Sequence, residues 1–339
     1  MKNILVTGGL GFLGQYLVAA LLKHYPDANI HILAKSKRPI FLPSLQNNSR
    51  IQITHDVDIL DKSNLDGFFE GIDGVFHVAA LVSFGRKDKD RLFQHNIEGT
   101  RNILQLCCSH RIKKLVYTSS TAALGYNNSA ITPADENFLF DWSKSQKYAY
   151  ALSKYNSEQL VKEAAAAGLP VLIANISSIY GPGDQKIQSL LSSVYKQKLP
   201  AMMPGGLACI DVRDAAEGLV FLYENGQSGN NYILTGGNYT HAQLISTIAE
   251  SLHVQPPSKI FSMGMAKILG PLISAMESCS SKAPKLTSEV FDMGFKFRYF
   301  STAKIAALGW QPQYSLEQTF ADIALEYFAQ SQAQKKEQI

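Results

Sequence analysis

Apolar and polar positions follow two regimes along the first half of this 339-residue chain. Short, unbroken apolar runs at 2–7, 29–34, 51–54, 74–79, 114–119 and 170–175 predict six strands. A strand covered on both faces has no polar alternation, so such runs point to a parallel sheet buried between two layers. Helical stretches separate them. Leu13, Leu17, Ala20, Leu21 and His24 fall near a 3.6-residue period, and further helices are predicted at 65–69, 92–110 and 148–167. Strand and helix in strict alternation predict a doubly wound α/β fold. After residue 176 the pattern loosens. A loop at 181–184 precedes helices at 187–196, 214–223 and 241–252, with a strand at 231–234. Residues 255–300, rich in Pro, Met, Phe and Ser, read as irregular.

Glycines punctuate the first strand–helix junction. Gly8, Gly11 and Gly14 in TGGLGFLG stand three apart. One glycine lets the chain turn tightly, one lets backbone N–H groups approach a pyrophosphate, and one lets the helix pack close to the strand. The helix N-terminus, at Phe12 and Leu13, then turns its partial positive charge toward the phosphates. In this βαβ context the spacing predicts dinucleotide binding and a Rossmann-like unit. That unit is expected over 1–175, with 209–235 returning to it. A smaller substrate-binding region is expected at 176–208 and 236–328, followed by a flexible tail at 329–339.

The end of the second strand reports on the cofactor's ribose. An NAD site places an acid there. This chain has Lys35, Lys37 and Arg38 and no acid, which suits a 2′-phosphate. NADP(H) is therefore the preferred cofactor, with NAD(H) possible, and Lys35 is the leading contact, assisted by Arg38 or Lys37. Asp58, beside Ile59, can accept from an adenine amino group or cap the end of the third strand.

Tyr150 and Lys154 lie four apart at the start of a predicted helix and share one face. An ammonium beside a phenol lowers its pKa, which a tyrosine needs to act as an acid–base catalyst at neutral pH. Thr118, Ser119, Ser120 and Thr121 end the fifth strand, where a hydroxyl can orient a substrate carbonyl beside Tyr150.

Composition narrows the field. Hydrophobic residues make up 46% and charged residues 18%, so a sizeable core forms and global disorder is excluded. A net charge of +4 gives no case for nucleic acid. Cys107, Cys108, Cys209 and Cys279 have no disulfide or zinc-ligand spacing, which fits a reducing, cytoplasmic setting. No metal is implied. No apolar run is long enough to span a membrane. The nearest, 263–276, is interrupted by Lys267, Gly270 and Pro271 and reads as a core or pocket-lining helix, with a membrane-surface patch as the alternative. Met202, Met203, Met263, Met265 and Met276 can line an adaptable pocket or fill the core. His77 reads as a satisfied core histidine and Asp214 as a helix N-cap; Arg213 is a secondary candidate for a substrate phosphate or carboxylate.

The chain resembles the extended short-chain dehydrogenase/reductase superfamily, the NAD-dependent epimerase/dehydratase family, along nearly its whole length. The resemblance rests on TGGLGFLG at 7–14, VDILD at 57–61, VFHVAALVSF at 75–84, HNIEGTRNIL at 95–104, VYTSS at 116–120, YALSK at 150–154, IYGPGD at 179–184 and IDVRDAAEG at 210–218. HVAALVSF and the lysine after the second strand look most like the dihydroflavonol 4-reductase and 3β-hydroxysteroid dehydrogenase branch. The resemblance implies Ser120 as the catalytic hydroxyl, Tyr150 as proton donor and Lys154 as its activator. It implies Ala79 and Ala80 under the cofactor, Asn96 closing the pocket beside the fourth strand, and Ile176 to Ser178 against the nicotinamide. Thr118 joins the cofactor contacts. Val82, Ser83, Thr121, Asn175 and Met203 are the substrate candidates. The superfamily's dimers pair the helices at 92–110 and 148–167, so a homodimer is compatible with this chain. Two departures stand out. ANISSIYGP at 174–182 lacks the family's Arg-Pro, and TSSTAALG lacks the Val-Tyr-Gly common in epimerases.

These features favour an NADPH-dependent reductase of a ketone on a small, lipophilic molecule, working through Ser120, Tyr150 and Lys154. The alternative is a nucleotide-sugar epimerase or dehydratase with tightly held NAD, which predicts an acid near residue 34. A non-catalytic cofactor sensor would not need all three catalytic side chains.

Overall fold

A computed structural model describes residues 1–145, 147–279 and 286–336. Seven parallel strands form the main sheet: β1 (Asn3–Thr7), β2 (Asn29–Leu33), β3 (Ile51–Thr54), β4 (Gly74–His77), β5 (Lys114–Ser120), β6 (Val171–Ile176) and β9 (Asn231–Leu234). Their order is β3-β2-β1-β4-β5-β6-β9. Successive side chains leave a strand on opposite faces, and both faces here are covered. Ile4 and Val6 enter one core, with Phe76, Val116, and Leu17 and Leu21 of α1 (Phe12–His24). Leu5 enters the other, with Val75, Leu115 and Tyr117. That is why the strands read as continuous apolar runs.

The 92–110 helix begins earlier and is not uniform. It runs as α3 (Lys89–Phe93), a π-helical turn (Gln94–Glu98) and α4 (Gly99–Ser109). The short α2 (Lys62–Leu65) is capped by Asp61, whose side chain accepts from the Asn64 N–H. Helix α5 (Ala149–Ala166) follows β5, and α7 (Val212–Asn225) packs against α1.

A second, four-stranded sheet was not visible in the sequence. It contains β7 (Ser178–Tyr180), β8 (Gly206–Asp211), β10 (Gly237–Thr240) and β11 (Phe297–Arg298). β8 pairs with β7 and β11 in parallel and with β10 antiparallel. Residues 209–211 thus belong to this second sheet, whereas α7 and β9 belong to the first layer system. Helices α6 (Gln188–Tyr195), α8 (His241–Ser251) and α12 (Leu316–Lys336) share a core with the second sheet through Leu191, Leu207, Ile248 and Phe320.

The 255–300 segment is not irregular. It holds α9 (Met263–Cys279) and α10 (Ser288–Met293), and α11 (Ala303–Ala306) follows β11. α9 is neither core nor pocket lining: Met265, Ile268, Leu272 and Met276 are exposed along it. Helix α12 continues to Lys336, past the predicted start of the tail. Residues 337–339 and the side chain of Cys279 lie outside the described residues. Among the described residues no helix is long and apolar enough to cross a membrane.

The strand order reverses between β1 and β4, which sends their following segments to opposite sides. The cleft opens at the C-terminal ends of these strands, where such sheets place ligands.

Candidate active site

The cleft is a cavity of about 790 Å³ lined by Gly8, Gly11, Phe12, Leu13 and Gly14 on one wall. Gly8 has φ +73°, and a Cβ there would lie 2.8 Å from the Ala79 backbone. A Cβ on Gly14 would lie 2.2 Å from the Gly8 carbonyl oxygen. These two glycines therefore press α1 and the β4 loop together. No side chain caps the α1 N-terminus, and its first bond runs from the Gln15 N–H to the Gly11 carbonyl at 3.0 Å. The preceding N–H groups face the cavity as an anion site. The Thr118 and Ser177 hydroxyls, also in the lining, are buried without a hydrogen-bond partner. A dinucleotide cofactor fits this donor set: a glycine cradle, a free helix N-terminus and two orphaned hydroxyls.

At the far end, Lys35, Ser36, Arg38, Asp58, Ile59 and His95 line the wall, and Lys37 does not. Lys35 Nζ sits 2.7 Å from Asp58 and 3.1 Å from His95 Nε2. Burial pushes the Asp58 carboxyl up, but hydrogen bonds from Lys35 and the Leu60 N–H outweigh it and hold it low. Asp58 is thus a partner of Lys35, and the helix cap is Asp61.

Tyr150 and Lys154 occupy the first two turns of α5 and both line the cavity beside Ser120, the last residue of β5. The Ser120 hydroxyl meets the Tyr150 phenol; burial raises the phenol's pKa and this hydrogen bond opposes the rise. Phe84 packs edge-on to the Tyr150 ring at 5.5 Å. Lys154 Nζ donates to Tyr117 Oη at 2.9 Å and to the Thr118 carbonyl at 2.8 Å. Burial pushes its ammonium down to about 7, against a smaller upward pull from Glu158.

Buried polar groups hold this face in place. Glu158 accepts from Ser119 Oγ at 2.7 Å and from Asn175 Nδ2 at 2.6 Å, and pairs with Lys162 at 2.9 Å. Asn96, presented by the π-helical turn, accepts from the Leu81 N–H at 2.8 Å. It also donates to the Leu81 carbonyl at 3.0 Å and to Ser153 Oγ at 2.8 Å. This ties the Ala79–Ala80 loop, which lines the cavity, to α5.

A model of the 3-beta hydroxysteroid dehydrogenase/isomerase family matches residues 5–209, more than half of the chain. The chain belongs to this family. It is an NAD(P)-dependent oxidoreductase of the extended short-chain dehydrogenase/reductase superfamily. A protein of Synechocystis sp., provisionally named a dihydroflavonol 4-reductase, is 31% identical over 94% of this chain and 92% of its own length. The sterol demethylase protein B of Methylococcus capsulatus is 27% identical over 79% of this chain and 81% of its own length. The dTDP-glucose 4,6-dehydratase of Bacillus anthracis, solved with NAD, superposes with a TM-score of 0.75 over 98% of each chain at 18% identity, a likeness of fold.

Of the remaining candidates in this family member, Val82, Thr121, Ile176 and Ser178 line the cavity. Three substrate candidates do not. Asn175 is 0% exposed and spends its amide on Glu158 and the Ser120 carbonyl. Ser83 turns away to donate to Asp88 at 2.5 Å. Met203 packs against Gly294, Met202 is buried, and neither these nor Met265 and Met276 line the cavity; the side chain of Met263 lies outside the described residues. Arg213 is paired with Asp211 and Asp322, each at 2.7 Å, and lies over the Tyr314 ring at 3.6 Å, off the cavity. The N-cap of α7 is Asp211, not Asp214; Asp214 accepts from the Gln313 and Tyr314 N–H groups instead. His77 is a core residue, bonded to Thr7 Oγ1 at 2.7 Å and Thr100 Oγ1 at 3.1 Å. Among the lining residues that sequence reading missed, Leu207 and Arg298 come from the second sheet and Phe300 from just beyond β11, while Phe84, His95 and Lys186 come from other parts of the chain. The alternating FKFRYF at 295–300 was the available signal, since positions two apart in a strand share a face.

Proposed function

We propose that this oxidoreductase uses NADP(H) to interconvert a ketone and a secondary alcohol on a small molecule with an apolar body. The observation that carries the reading is the meeting of Ser120, Tyr150 and Lys154 in the same cavity as the glycine turn. When bound, the nicotinamide supplies or accepts the hydride. Ser120 Oγ hydrogen-bonds the substrate oxygen and orients it toward the Tyr150 phenol. Tyr150 gives that oxygen its proton in reduction and takes it back in oxidation. Lys154, once protonated, favours the phenolate that Tyr150 becomes. Val82, Phe84, Leu207 and Phe300 supply apolar wall, which supports a lipophilic substrate. Lys35 and Arg38 in the lining, with Ala34 where NAD sites place an acid, support the 2′-phosphate of NADP(H). The names of the two relatives, on a flavonoid and a sterol reaction, agree with this substrate class.

The test is Tyr150→Phe, with NADPH and NADH titrated in parallel by nicotinamide fluorescence and turnover followed on a ketone panel. Wild type should prefer NADPH, and the variant should keep that binding while losing turnover. A variant with full activity overturns the assignment. A preference for NADH moves the reading to the epimerase/dehydratase alternative.

A further inference from the structure

Arg298 is a half-buried arginine whose guanidinium finds little compensation. It stands on β11, paired with Leu207 of β8, and lines the cavity together with Phe300, two residues further on. Its Nε is buried with no hydrogen-bond partner, and among the described residues its Nη1 meets only the Met293 thioether, at 3.9 Å. Among the described residues no carboxylate lies within ion-pair distance of it and no aromatic ring lies beneath it. Two half-buried arginines elsewhere are saturated. Arg50 donates to the carbonyls of Leu22, Tyr25 and Pro26, and Arg213 holds two carboxylates and a ring.

A guanidinium does not give up its proton in a protein, so burying one without a counter-charge costs the fold free energy. The groups that face Arg298 electrostatically are Tyr180, Tyr148, Glu289, Tyr126 and His241, whose imidazole burial and the Arg298 charge push down to about 4. Burial raises the Tyr180 and Tyr148 phenols well above their ordinary range, so they carry no countercharge at neutral pH. Burial and the nearby Glu277 push Glu289 up to about 8, so it carries little countercharge at neutral pH, and its Oε1 is itself without a partner. The other cavity lysine of this region, Lys186, feels Arg38 and Asp184 instead, which places it toward the cofactor end. Arg298 is therefore a single, isolated cation in an apolar wall. A planar guanidinium binds a carboxylate by two parallel hydrogen bonds, whereas a diphosphate calls for more than one cation.

We propose that Arg298 anchors the substrate by a carboxylate, so that the substrate is an apolar keto acid or the corresponding hydroxy acid. This rests on the ketone–alcohol reading of the cavity and deepens it. One end of the molecule is held at Arg298, the apolar body lies along Leu207, Phe300 and Phe84, and the carbonyl reaches Ser120 and Tyr150. The second sheet, present in the fold beside the dinucleotide-binding layer, then acts as the specificity element.

The test is calorimetric titration of the NADP⁺-loaded protein with 4-phenylbutanoate, its methyl ester and UDP, using wild type, Arg298→Met and Arg298→Lys. Wild type should bind the acid at least tenfold tighter than the ester. Arg298→Met should lose that discrimination, Arg298→Lys should keep part of it, and both should bind NADPH within twofold of wild type. The thermal midpoint of the empty Arg298→Met protein should be equal or higher, because an uncompensated buried charge is gone. Acid and ester binding alike, neither binding, or discrimination surviving in Arg298→Met overturns the proposal. UDP binding more tightly than the acid through Arg298 overturns it in favour of a nucleotide diphosphate. Failure of the ketone reading has a separate signature, since anion discrimination would persist while no ketone is reduced.

Discussion

Lys154 makes the stability of the empty protein depend on alkaline pH. Its side chain is 2% exposed, and its ammonium titrates near 7 rather than at its ordinary 10.5 because burial disfavours the charge. The unfolded chain holds this proton up to about pH 10.5, and the folded chain releases it near 7. Between those values unfolding takes up a proton, so raising the pH favours the fold. The penalty on the folded state is about 4 kcal/mol at pH 7 and falls to about 2 kcal/mol at pH 9. Lys154→Met keeps the volume of the side chain and removes the titrating amine. Urea unfolding of cofactor-free wild type and variant at pH 7 and pH 9 reads the difference directly. Wild type should gain about 2 kcal/mol relative to the variant over that interval. A difference that stays constant, or moves the other way, refutes the claim that the amine is buried near its neutral form. On the proposed mechanism the same variant should also lose turnover, since it removes the cation assigned there to favour the Tyr150 phenolate.

Two further substitutions probe the cofactor wall. Gly14→Ala sets a methyl against the Gly8 carbonyl and the Gly9 Cα, both backbone atoms that cannot step aside. Helix propensity favours alanine by about 1 kcal/mol, but overpacking costs about 1–3 kcal/mol, and the cradle must also open. The expected result is a lower thermal midpoint and at least tenfold weaker NADPH binding by fluorescence titration; an unchanged midpoint and affinity would show that the contact yields. Lys35→Ala removes the cation beside Asp58. NADPH should weaken about tenfold, the scale of one charge-assisted hydrogen bond, while NADH changes little; equal weakening of both would place the 2′-phosphate elsewhere.

The sequence by itself determined the dinucleotide-binding half. Its strands are unbroken apolar runs because both faces of a parallel sheet are buried, and its glycines stand where backbone meets backbone. The Tyr150–Lys154 pair was equally legible, because an i,i+4 spacing shares a helix face whatever surrounds it. Tertiary structure decided the rest. Asn175 looks like a pocket residue in ANISSIYGP, yet its place at the β5–β6 pairing gives its amide to buried Glu158. Arg213 looks like an anion ligand, yet α12 brings Asp322 to it from 109 positions away. The second sheet was missed because β7 and β11 are only three and two residues long, too short for a period to establish a strand. Its partners come from distant parts of the chain, so the brief alternation at 295–300 does not say by itself which sheet the segment joins or that Arg298 faces the cavity. Side-chain chemistry and spacing set the wall that carries the glycine turn; long-range strand pairing set the opposite wall, with Leu207 and Arg298.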